Sequence, residues 1–244
     1  MLTVIDDVWH TIVPPEGDRH GPLAPMLLAL TMVTGLVDSF SYLVLGHVFV
    51  ANMTGNVVFL AFALVGAKGF SLLASFLALV AFALGSMASG RLVVHLGPRR
   101  GRILAISTAC EVALVATAMI LGWTAAFPGS GVVRYVLVIL LGLATGLQNG
   151  AARKLAVPDL TTTVLTQTIA GAAFDGRLAG GTNSRIGRRG LSALAMFLGA
   201  LVGAALVLHV SQALGLLVAV VLLVPVAIAA ARLSRSRPAW DDPS

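Results

Sequence analysis

The chain has 244 residues, of which 58% are hydrophobic and 11% charged, with a mean hydropathy of +0.96. Soluble domains carry about 25% charged residues, so this composition excludes a soluble globular protein and makes lipid the solvent for much of the surface. The net charge of +6 would point to nucleic acid in a soluble chain, but here the arginines fall in the gaps between apolar segments, where the positive-inside rule puts them, and nucleic acid is excluded as a partner.

Residues 1–22 form a polar N-terminal segment with Asp6, Asp7, Glu16 and Asp18; it has no basic start and no small-residue cleavage site, so it does not read as a signal peptide. Eight apolar segments follow, at about 23–46, 48–67, 69–95, 103–123, 132–150, 160–175, 190–210 and 212–232. The first contains Asp38, a carboxyl group that costs at least about 2.5 kcal/mol at bilayer depth and is expected to face a cavity, a cation or a proton path. The second opens on Asn52, Thr54 and Asn56. The fourth carries the single cysteine, Cys110, expected as a small packing residue, and Glu111, expected to pair with Arg91 or Arg134 or to carry a proton. The fifth ends near Gln148 and Asn149, and the sixth is preceded and opened by Thr161, Thr162, Thr163, Thr166, Gln167 and Thr168. The stretch 190–231 holds no Asp, Glu, Lys or Arg, which is long enough for two spans of about 20 residues. The tail 233–244 reads as polar and disordered.

The segments repeat. "VTGLVD" (33–38) resembles "ATGLQN" (144–149), which sets Asp38 on Asn149, and "GSMASGRLVVHL" (85–96) resembles "GALVGAALVLHV" (199–210). Between these anchors "NMTGNV" (52–57) falls on "VLTQTI" (164–169), with Thr54 on Thr166. The order and nearly constant offset point to a duplication, 23–123 and 132–232. Gly85/Ser89 and Gly199/Gly203 are small-residue pairs that favour close helix packing in lipid.

Basic residues decide how the halves are related. Arg99, Arg100 and Arg102 follow the third segment; Arg185, Arg188 and Arg189 follow the sixth; Arg232, Arg235 and Arg237 follow the eighth. With eight spans, in two parallel halves, these clusters fall on both sides of the membrane. If the second and sixth segments dip in and return, six spans remain, all three clusters and both termini lie in the cytoplasm, and the halves are inverted. The apolar parts of those two segments, 57–67 and 164–174, would measure about 16 Å as helices, roughly half a hydrocarbon core. Short, polar-started segments at matching positions of two halves mark a transporter binding site.

The stretch "GLVDSFSYLVLGHVFVANMTGNVVFLAFAL" (35–64) resembles the signature region of the YoaK-like family of uncharacterised bacterial multi-pass inner-membrane proteins, and "GLQNGAARKLAVPDLTTTVLTQT" (146–168) resembles its second-half counterpart. Where the family more often has a Thr-Gly pair, this chain has Thr166-Gln167. The resemblance covers about 23–232 and implies an inner-membrane protein, often supposed to be a transporter, without supplying a substrate.

The expectation is therefore an all-α polytopic membrane protein, six full transmembrane helices plus two short re-entrant ones. Its partners are the bilayer and a small polar or charged solute, with a second copy of the chain as a further candidate. The expected solute site is Asp38, Asn52, Thr54, Asn56, Gln148, Asn149, Thr166, Gln167 and Thr168, with Asp38 and Glu111 as proton or ion coupling groups. The alternative is a non-transporting membrane scaffold or partner subunit. No phosphate-binding loop, His-Glu-x-x-His, serine elbow or Cys/His pair occurs, so neither catalysis, a metal nor a cofactor is expected.

Overall fold

Long apolar runs with few breakers leave the backbone one way to satisfy its polar groups in lipid, the helix. The computed structural model describes residues 4–125, 131–163, 165–176, 180–181, 185–236 and 240–241, and among these it is helical with no strand. In chain order the helices are α1 (Val4–Ile12), α2 (Leu23–Val44), α3 (Met53–Leu64), α4 (Leu72–Leu96), α5 (Arg100–Thr124), α6 (Gly131–Leu155), α7 (Leu165–Phe174), α8 (Ile186–His209) and α9 (Gln212–Leu233). Six of them, α2, α4, α5, α6, α8 and α9, are long and apolar enough to cross a membrane. At 1.5 Å per residue they measure about 33–38 Å. The order long, short, long, long occurs twice. α3 and α7, with 12 and 10 residues, are too short to cross, so the eight-span arrangement is not the one adopted.

Close glycine contacts position the spans. Gly35 of α2 lies against Met196 and Ala200 of α8, and Gly199 lies against Met32: an added Cβ at Gly35 or Gly199 would come within 2.3 or 2.0 Å of a carbonyl oxygen. Gly85 of α4 and Gly146 of α6 touch in the same way, against Leu143 and Phe82, each at 2.3 Å. In both pairs the residue numbers rise together, so α2 runs parallel to α8 and α4 parallel to α6.

These contacts and the chain's alternation define two faces. On one, Arg100 at the start of α5 donates to the carbonyl of Leu155 at the end of α6 and to that of Arg19 just before α2. There too Arg99 reaches Ser234 beyond α9, and Arg188 of α8 meets Asp7 and Thr11 of α1. The three arginine clusters thus share one face, Arg237 lying outside the described residues. On the other face Gly46, after α2, meets Arg134 of α6, and His47 Nδ1 lies 2.9 Å from the Gly69 carbonyl just ahead of α4.

Two expectations are corrected. The tail is docked rather than disordered where it is described: Asp241 is buried, accepts from the Gly101 N–H at 2.6 Å and pairs with Arg99 at 3.7 Å. Its acid caps the start of a helix whose first N–H groups have no helical partner, a long-range pairing that local composition does not reveal. Cys110 is exposed on the outside of α5, not packed, because the buried face of that helix runs through Thr108, Glu111 and Val115.

Candidate functional site

Both short helices start inside the bundle. α2 ends on the second face, yet the following chain turns back in, and the N–H groups of Val50 and Ala51 donate to Asp38 Oδ1 at 2.9 and 2.8 Å. The Asn52 N–H and Asn52 Nδ2 donate to Asp38 Oδ2 at 3.1 and 2.5 Å. Asp38 stands six residues before the end of α2, about 9 Å inside by helical rise. From Asn52 the chain becomes α3 and returns to the face it left. The tip is also tied to the other half, since Thr145 Oγ1 of α6 donates to the Val50 carbonyl at 2.5 Å.

The second half does the same from the opposite face. α6 ends among the arginines, the chain turns inward, and Asn149, again six residues before its helix ends, donates through Nδ2 to Thr163 Oγ1 at 2.5 Å. α7 then runs back to the basic face, where Arg189 bonds Asp175 at 2.7 Å and Asp159 at 2.9 Å. The Asn149–Thr163 bond matches Asp38–Asn52 in sequence separation, with the polarity reversed: the carboxyl accepts, the amide donates.

Between the two tips lies a cleft of about 440 Å³ lined by Ala51, Asn52, Met53, Thr54, Phe82, Asn149, Thr163, Thr166 and Gln167. It is open on the side of Thr54, Thr166 and Gln167, which are exposed. No charged side chain lines it. Ala51, Met53 and Phe82 give it apolar wall, and its polar groups are amides and hydroxyls that both donate and accept, set near the starts of two helices, whose free N–H groups carry partial positive charge.

Of the expected residues, Asn52, Thr54, Asn149, Thr166 and Gln167 meet at this cleft, and five do not line it. Asp38 stands behind Asn52. Asn56 is buried and brackets the Phe49 backbone, accepting from its N–H at 2.9 Å and donating to its carbonyl at 2.5 Å. Gln148 donates to Thr34 Oγ1 of α2 at 2.8 Å and to the Leu30 carbonyl. Thr168 is buried on α7. Glu111 is fully buried, and neither of its oxygens has a hydrogen-bond partner. The expected pairing of Glu111 with Arg91 or Arg134 is absent among the described residues; Arg134 instead donates to the Tyr135 hydroxyl. Four lining residues fall outside the expected site: Ala51, Met53 and Phe82, whose side chains give no strong polar signal, and Thr163, which stands in the polar run "TTT". Among the described residues no group of His, Cys, Asp or Glu is placed to hold a metal.

The sequence pattern of the family described as protein of unknown function (DUF1275) matches residues 26–229. The chain belongs to this family. It is also 34% identical, over 155 residues, to the UPF0700 transmembrane protein YoaK of Bacillus subtilis (strain 168), an alignment covering 63% of this chain and 68% of that protein. No solved structure matches it. The DUF1275 match runs from α2 into α9, so both re-entrant tips and the cleft between them lie inside the family's region, while α1 and the docked tail lie outside it.

Proposed function

We propose that this DUF1275 protein carries a small, neutral or zwitterionic polar solute across the bacterial inner membrane, its two halves forming an inverted duplication with both termini in the cytoplasm. The observation that carries the reading is the uncharged cleft, apolar walls set with five amide or hydroxyl side chains and Thr163, between two helices that enter from opposite faces. Non-helical backbone at membrane depth is tolerated where it lines a wet cavity or is buried in protein, and half-helix N-termini suit a carboxylate or polar oxygen of a solute. A volume of about 440 Å³ falls in the range of small-molecule sites, roughly 300–1,000 Å³. Asn52, Thr54, Asn149, Thr166 and Gln167 bind the solute. Asp38, its oxygens already taken by four donors, positions Asn52. Glu111, buried and unpaired, is the coupling group. No chemical step is involved. Bare polar groups facing lipid are unfavourable, so the open side of the cleft is where a second copy of the chain would pack.

The rival reading is a membrane scaffold, favoured by the polar side chains of Asn56 and Gln148, which bond only to the protein itself. Uptake decides between them. In proteoliposomes screened with labelled amino acids, polyols and small amides, the protein should take up at least one class. Thr54→Val and Gln167→Leu should each cut that uptake by up to about tenfold, the worth of one hydrogen bond, without changing thermal stability. Glu111→Gln should abolish its response to a pH gradient. Uptake that no substitution lining the cleft alters would remove the cleft from the pathway, and absence of uptake for every class would favour the scaffold.

A further inference from the structure

A second cleft lies on the basic face, away from the one above. It has a volume of about 160 Å³ and is lined by Arg19, His20, Pro98, Arg100, Lys154, Leu155 and Ala156. Three pieces of chain build it: the approach to α2, the start of α5 and the end of α6. Three cations and a histidine line it, and no carboxylate does. Arg100 is only 5% exposed, and its guanidinium donates to the carbonyls of Arg19 and Trp240 at 3.3 and 3.4 Å, to the Leu155 carbonyl, and to His20 Nδ1 at 2.9 Å. All four acceptors are neutral. The two acids nearby attract Arg100 only through space, their hydrogen bonds going to other groups, Asp18 to the His20 N–H at 2.7 Å and Asp241 to Gly101 and Arg99. Burial, and then the neighbouring Arg100, push the His20 pKa below its ordinary value, so at neutral pH the ring accepts from Arg100 and adds no charge.

A buried guanidinium with no carboxylate bonded to it is only partly compensated by acids at a distance, and an anion in the cleft would complete the compensation. Arg19 and Lys154 are exposed at the rim, free to close on such an anion. The cleft has about half the volume of the smallest whole-metabolite sites, which fits a single phosphate group. It also lies at the ends of three spans, at the depth of lipid headgroups, and basic pockets of this kind between transmembrane helices bind anionic heads.

We propose that this cleft binds a phosphate monoester or diester anion, with Arg100, its terminal N–H groups held by the protein, as the fixed inner positive charge and Arg19 and Lys154 as the closing donors. An anionic phospholipid headgroup and a soluble phosphate share this chemistry, and two arms of one experiment separate them. The full chain is placed in phosphatidylcholine nanodiscs and its thermal midpoint followed. One arm adds phosphatidylglycerol to the discs; the other titrates inorganic phosphate into the buffer. Arg19→Gln/Lys154→Gln removes the rim pair, both exposed, and Arg102→Gln/Arg153→Gln removes two equally exposed charges from the same face outside the cleft. A saturable rise in midpoint is expected for the parent and the second double variant, with apparent binding weakened about tenfold or more in the first. A rise with phosphatidylglycerol alone assigns the site to lipid, and a rise with phosphate as well assigns it to either source. No rise in either arm, or equal weakening in both double variants, overturns the proposal.

Discussion

Asp38 shows how far one residue's chemistry can be read from its neighbours in sequence. A carboxyl group within an apolar run marks a special position, and it is one: the residue is 4% exposed and accepts four hydrogen bonds. What the sequence leaves open is the partner. The donors are the Asn52 side chain, which the sequence marks, and the backbone N–H groups of Val50, Ala51 and Asn52, which side-chain identity does not reveal. Asn149 looks like evidence that an amide fits the same place. Its bond runs the other way, donating to Thr163. Asp38→Asn would therefore turn an NH₂ group toward donors and leave at least one buried N–H unpaired, at about 1–3 kcal/mol. A fall in thermal midpoint of roughly 2–10 °C is expected, with loss of uptake following from the misplaced Asn52. An unchanged midpoint would mean that the tip of the first half does not depend on this clamp.

At the scale of elements, the lengths and polar starts of α3 and α7 were legible, because a half-length apolar run after a cluster of amides or hydroxyls has few other readings in lipid. The devices that hold each returning loop were not. Both loops contain a non-glycine residue in the left-handed region, His47 (φ 56°) and Asp159 (φ 65°), and both residues reach toward the start of the next span. His47 does so through the Gly69 carbonyl, Asp159 through Arg189, which also holds Asp175 at the end of α7. The second loop is thus fastened by charge, and one arginine fastens both of its ends. Arg189→Gln should lower stability by about 1–3 kcal/mol, the worth of charge-assisted hydrogen bonds in a partly exposed setting, and should open residues 156–176 to limited proteolysis while α2 to α5 stay protected. Unaltered cleavage across that segment would show that packing alone holds α7.

At the scale of the whole molecule, helices far apart in sequence complete each other: α2 packs on α8 through Gly35 and Gly199, and α4 packs on α6 through Gly85 and Gly146. Apolar run length marked the helices and the arginine clusters marked one common face, but neither says which helix meets which, since lipid-facing and partner-facing surfaces are equally apolar. The docked tail escaped for a related reason, its acid meeting a helix start far away in sequence. The central claim is that both tips share one cleft. Cysteines at Thr54 and Thr166, in a chain carrying Cys110→Ser, test it with a short bifunctional thiol reagent. Rapid crosslinking within one chain is the result predicted. Two cysteines that never crosslink, each labelled from a different side of the membrane, would contradict it.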